Sequence, residues 1–268
     1  MKNKLFFAEE IARQDIDVLK KRLRAKMGGF VVAMKPILAG ARLFRGVRRA
    51  ERPSDVRQIS YPPAEVVTSM GRLNRVGSSM FYCSAGEPPV SYELKARVGD
   101  TIAVSEWEVL EPLWLHNLGF HEDALVKLGV PFVGSRPDLT NAIPDETTEN
   151  ERLRRKFSLA LAEDVAAGDE YKYKLSVAIN ELLFDKAGPI PIREGRPRFD
   201  GASGTVYPSV QLNARADNVA LFPEFVDSSL QIRSVKHTII KAFNPKSREY
   251  GVEILFDTNK FDGNQIIW

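Results

Sequence analysis

The chain has 268 residues, 44% of them apolar and 27% charged, the balance of a globular protein with a sizeable core. Its 38 basic and 35 acidic residues leave a net charge of +3, too little for wrapping a polyanion by bulk charge. A single cysteine, Cys83, excludes an internal disulfide and any multi-cysteine metal site, and a reducing, cytoplasmic setting is expected. The longest apolar run, residues 30–34, is far short of the roughly 20 residues that span a bilayer. Lysines and a short apolar stretch open the chain, but Glu9 and Glu10 interrupt them, so no signal peptide is expected.

In chain order, Ala12, Ile16, Leu19 and Leu23 recur at helical spacing, and Gly28-Gly29 is expected to end that helix. Its other face carries Lys20, Lys21, Arg22, Arg24 and Lys26, read as a solvated basic face, with an anionic partner or membrane surface as the less favoured alternative. Residues 1–40 are thus expected to form a separable helical extension. Residues 41–48 read as a strand. The Pro- and Gly-containing stretch 50–78 reads as a long connection, of a length that in compact domains is usually functional or disordered. Residues 79–84 read as a short buried strand, 88–97 as a helix opened by Pro88-Pro89, and 101–109 as an alternating strand. From about 112 to 200 the pattern is mostly helical. Thr148 with Glu151 suggests a capping box, and Gly188-Pro189 a helix end. Strands return at 205–210, 218–222, 230–241 and 250–257. This order predicts an α+β fold, residues 41–268, with the 112–200 helices as an insertion.

Common catalytic signals are missing. The sequence has no GxxxxGK[ST] loop, no HExxH and no GxSxG elbow. His116 and His121 are five apart, off the spacing that shares a helix face, so no metal is expected. One constellation stands out in residues 71–93. Arg72, Tyr82 and Glu93 follow at intervals of ten and eleven residues, across a turn, a strand and a helix start. A guanidinium grips phosphate oxygens at two points. An aromatic face stacks on a flat heterocycle. A carboxylate binds ribose hydroxyls and stabilises a cation developing at the anomeric carbon. Together they suit cleavage of an N-glycosidic bond in a dinucleotide. Spacing alone favours a surface arginine, a core tyrosine and a solvated glutamate over this reading.

In this stretch the sequence resembles the RES-domain family, named for arginine, glutamate and serine residues. Arg72-Leu73-Asn74, Gly77, Tyr82 and Glu93 match the family's central pattern in order and spacing, although the family often has an aromatic where Leu73 stands. Leu43-Phe44-Arg45 matches upstream; Tyr207-Pro208-Ser209, Asn218-Val219-Ala220-Leu221 and Asp227 match downstream. The resemblance spans roughly residues 41–240. It implies an ADP-ribosyltransferase-like fold, a split, twisted sheet with a cleft for NAD. It also implies an NAD-consuming enzyme that cleaves the nicotinamide–ribose bond by hydrolysis or phosphorolysis, or a transferase that modifies a protein or nucleic-acid target. Many bacterial members are toxins with a DNA-binding antitoxin as partner, whereas this chain adds an N-terminal helix and the 112–200 helices to the compact toxin form. A non-catalytic binding module on the same fold is the further alternative. By resemblance, Arg72 and Arg45 hold the diphosphate, Tyr82 stacks on nicotinamide or its ribose, and Glu93 stabilises the oxocarbenium-like centre. Ser209 then hydrogen-bonds in the cleft floor and Asn218 supports it. NAD is the implied substrate, with no metal, no membrane and no direct nucleic-acid contact expected.

Overall fold

The computed structural model describes residues 11, 13–130, 147–186 and 201–268. Ala12 and Gly188-Pro189 lie outside them, as does most of 187–204. Nine strands form one mixed sheet: β1 Met34–Ile37, β2 Arg42–Arg48, β3 Phe81–Ser84, β4 Thr101–Val109, β5 Leu113–Asn117, β6 Gly204–Pro208, β7 Asp217–Leu221, β8 Leu230–Asn244 and β9 Glu249–Thr258. Their spatial order is β1-β5-β6-β7-β3-β2-β4-β8-β9. All neighbours are antiparallel except β5 and β6. The helices are α1 Ile16–Arg24, α2 Pro89–Glu93, α3 Glu122–Lys127, α4 Thr148–Leu161, α5 Lys174–Lys186 and α6 Pro223–Ser229. A small hairpin, β10 Lys260–Asp262 and β11 Gln265–Ile267, closes the described chain. The architecture is α+β. No described helix is long and apolar enough to cross a membrane.

The sheet is nearly divided. β2 runs seven residue pairs along β4, but it meets β3 only at Phe44 opposite Ser84. Strand alternation then sorts the core into faces. Phe81, Cys83, Val206, Val219 and Leu221 point to one side, packed with Val56, Ile59, Leu125 and Val226. The other face carries two separate clusters. α1, α4 and α5 cover β3, β6 and β7 through Leu19, Leu23, Leu153, Val177 and Leu182. α2 covers β2 and β4 through Val90, Ile102 and Val104. The gap between these two clusters lies along the division of the sheet.

Three expectations need correction. The N-terminal forty residues are integrated rather than separable: Leu19 and Leu23 are fully buried beside α5, and β1 adds to the sheet on β5. The basic face of α1 is in part an interface, since Lys20 lies 3.0 Å from both Glu181 and Asp185. The mostly helical 112–200 region is not an insertion from its start, because its first element, β5, sits inside the sheet between β1 and β6. Smaller differences have local causes. The cap of α4 is Thr147, whose hydroxyl accepts the Asn150 N–H, one residue before the expected Thr148. α2 is only five residues long because Lys95 turns into the left-handed region at φ 47°.

His116, on β5, is buried with Nδ1 lacking a hydrogen-bond partner among the described residues, and its ring lies 4.6 Å from that of Phe184 on α5. Burial pulls its pKa down to about 4. The native pKa lies below the unfolded value, so the unfolded chain takes up the proton first. This histidine's stabilisation is therefore present above pH ~6.5 and lost as pH falls toward 4, in total about 3 kcal/mol. Urea midpoints measured at pH 7 and pH 4.5 should show a steeper loss in the wild type than in His116→Gln; equal losses would contradict this assignment. His121 has a different role, capping α3 through Nδ1, which accepts the Asp123 N–H at 3.1 Å.

Candidate functional site

A cleft of ≈ 480 Å³ lies at the division of the sheet. Arg45, Arg72, Tyr82, Glu93 and Asn218 all line it. Ser209 stands just behind Glu93: its hydroxyl donates to Glu93 Oε1 and accepts the Leu212 N–H at 3.1 Å. Ser209 is fully buried, one residue past the end of β6, where Pro208 closes the strand. Two residues 116 positions apart therefore share one hydrogen bond, and it fixes the orientation of the carboxylate.

Glu93 is delivered by α2, which rests on β2 at Gly46. A Cβ on Gly46 would lie 2.1 Å from Val90 Cγ1 and 3.0 Å from Leu94 Cδ1, so only glycine lets the helix sit this close. Arg48 then holds the end of α2: its Nη2 donates to the carbonyls of both Leu94 and Lys95.

Arg72 reaches across the cleft. Its Nη1 donates to the Leu161 carbonyl at 2.6 Å and the Glu163 carbonyl at 2.9 Å. Its guanidinium carbon lies 5.1 Å from the ring centre of Tyr173 and 5.9 Å from that of Tyr207, a cation between two π faces. Nε and Nη2 make no hydrogen bond to the described residues and remain for a ligand.

Tyr82 presents its ring to the cleft, but its hydroxyl is engaged. It donates to Asn74 Oδ1 at 2.7 Å and accepts the Leu73 N–H at 2.9 Å. Burial, the largest influence, raises its pKa above the ordinary tyrosine value. The hydroxyl is thus a fastener for the 71–78 loop, which Asn74 also ties down by donating to the Ser78 carbonyl at 2.8 Å. Tyr82→Phe should lower stability by about 1–3 kcal/mol, because it leaves a buried amide and a carbonyl oxygen unpaired. The ring would stay in place. A thermal melt beside an activity measurement separates the two: lost turnover in a folded Tyr82→Phe would give the hydroxyl a chemical role.

Arg45 borders the cleft, but its guanidinium is engaged by backbone carbonyls. It alternates with Phe44 along β2 and so leaves on the opposite side, where its guanidinium lies 5.3 Å from the Phe81 ring centre. Nε donates to the Ser60 carbonyl at 3.0 Å and Nη1 to the Tyr82 carbonyl at 2.8 Å. Loss of hydration pulls its pKa down to about 10. Arg45 spans the division between β2 and β3, replacing backbone pairing that the two strands lack beyond Phe44 and Ser84.

Asn218 is buried on β7, opposite Tyr207 on β6 and Ser84 on β3, and forms part of the cleft floor. Asp227, by contrast, is remote: both its carboxylate oxygens accept the Tyr61 hydroxyl, in a second cavity lined by Trp107 and Leu230.

The sequence pattern did not reveal Asp164, Lys95, Tyr173 and Gln211, which also line the cleft. Only Lys95 carried a signal, its place two residues after Glu93. Lys95 Nζ donates to Asp164 Oδ1 at 2.9 Å and Gln211 Nε2 donates to the same oxygen at 3.0 Å. The Lys95 hydrogen bond, chiefly, holds the Asp164 pKa below the usual carboxylate range, and the charges of Lys95 and Arg72 add to it. Apart from Arg45, whose guanidinium is turned away, the cleft lining carries Arg48, Arg72 and Lys95 against Glu93 and Asp164. Among the described residues no group of three metal-ligating side chains gathers. Comparisons with family models, curated proteins and solved structures find no match to this chain.

Proposed function

We propose that the cleft binds NAD and cleaves its nicotinamide–ribose bond. The observation that carries this reading is Glu93, a carboxylate oriented by Ser209 Oγ in a cleft that Arg72, Lys95 and the rings of Tyr82, Tyr173 and Tyr207 also line. Its Oε2 is left to meet the ribose hydroxyls and the anomeric carbon. As nicotinamide departs, it takes the bonding electrons and leaves as a neutral base, while positive charge builds on the ribose. A fixed carboxylate attracts that charge more strongly than it attracts the ground state. Water then adds to the anomeric carbon and loses a proton to solvent, giving ADP-ribose. Phosphate in place of water gives the ribosyl phosphate. Arg72 supplies two-point contact to the diphosphate through Nε and Nη2, and Tyr82 and Tyr207 supply aromatic walls.

The division of the sheet at Phe44 and Ser84, with the cleft upon it, supports an ADP-ribosyltransferase-like fold with a split sheet. One further observation favours transfer to a macromolecular target as a second reading. The region after β5 reaches the cleft through Asp164, Val165 and Tyr173, so an acceptor docked on that region would approach the anomeric carbon.

Calorimetric titration with NAD and with ADP-ribose tests the reading. Both should bind, and Arg72→Ala should weaken both. A protein that binds neither does not have this function.

A further inference from the structure

The segment 161–165, at the C-terminal end of α4, lines the cleft through Asp164 and Val165 and presents oxygen atoms to its cations. Arg72 Nη1 takes the carbonyls of Leu161 and Glu163. Lys95 Nζ takes the Asp164 carboxylate and reaches the Val165 carbonyl at 3.5 Å. Two cations on separate elements are therefore satisfied by one five-residue strap. The backbone at Lys95 is in the left-handed region, unusual for a residue with a side chain, and Arg48 clamps it there. That conformation sets where the ammonium group points. The Lys95 and Asp164 side chains are 51% and 62% exposed, so their pairing is weak and readily exchanged for a stronger anion.

We propose that Lys95 and Arg72 form a diphosphate subsite in the cleft, and that Asp164 is its tethered competitor, which an incoming diphosphate displaces from Lys95. The inference rests on the reading above only in taking the ligand to carry a diphosphate. Asp164 raises the concentration of ligand needed and disfavours ligands that lack that charge. Gln211, which holds the same Asp164 oxygen, keeps the carboxylate in place when Lys95 turns to the ligand. Arg248 Nη2 in turn holds the Gln211 carbonyl at 2.9 Å.

The test uses the full chain and inorganic pyrophosphate as the probe. Calorimetry on wild type, Asp164→Asn and Lys95→Gln should give opposite shifts. Removing the competing charge should tighten pyrophosphate binding about fivefold, as expected for release of an exposed ion pair. Lys95→Gln should weaken it by about as much. Both variants should melt close to the wild type. Unchanged or weaker binding in Asp164→Asn, or unchanged binding in Lys95→Gln, would overturn the proposal, and so would a failure of pyrophosphate to bind Asp164→Asn at all. Nicotinamide release from NAD by the same preparations keeps the two claims apart. Cleavage without opposite shifts removes the competitor and leaves the enzyme; opposite shifts without cleavage leave the subsite and remove the enzyme.

Discussion

Glu93→Gln should reduce nicotinamide release from NAD by about 10²–10³-fold, the usual effect of removing one group that stabilises developing charge. The substitution is nearly isosteric. The amide oxygen can still accept the Ser209 hydroxyl, so the local structure should persist. What disappears is the negative charge facing the anomeric carbon. The loss should fall on kcat more than on KM, because the interaction strengthens only as the glycosidic bond breaks. Melting temperature and NAD affinity serve as controls. A folded Glu93→Gln with near wild-type turnover would show that the carboxylate is not part of the reaction. Ser209→Ala offers a graded comparison, since it keeps the charge but frees its orientation.

Gly46→Ala should be the most damaging single methyl group near the site. The new Cβ would stand 2.1 Å from Val90 Cγ1, and valine's branched side chain has little freedom to retreat. Either α2 lifts from β2 or the strand bends. Overpacking of this kind costs about 1–3 kcal/mol. Glu93 closes α2, so the same displacement should lower activity beyond what partial unfolding explains. Gly46→Ala combined with Val90→Ala restores the space, and recovery of both stability and turnover is expected. A stable, fully active Gly46→Ala would show that α2 is not positioned by this contact.

Local elements were legible in the sequence and long-range ones were not. β4 matches its expected bounds, Thr101–Val109, with a continuous buried run at Ile102–Ser105 and alternating burial from Ser105 to Val109. β5 was hidden in a stretch read as helical, since its parallel partner β6 begins 87 residues after β5 ends and nothing local records that pairing. The integration of α1 depends on Glu181 and Asp185, more than 150 residues away, so its basic face looked solvated. For the site, the pattern from Arg72 to Glu93 named residues that do line one cleft, together with Asn218 from the far side of the chain. Arg45 borders the same cleft, but the pattern did not reveal that its guanidinium is taken up by the Ser60 and Tyr82 carbonyls. Asp164 was invisible: a lone aspartate after a helix carries no pattern, and only the fold brings it to Lys95.

The most direct measurement incubates the purified full chain with NAD, with and without phosphate, and follows free nicotinamide and the ribosyl product together. The account predicts that nicotinamide appears in step with ADP-ribose, its phosphorylated counterpart or a modified macromolecule, and that Glu93→Gln stops it. Intact NAD after prolonged incubation with folded protein, water, phosphate and a cell extract as acceptors would contradict it.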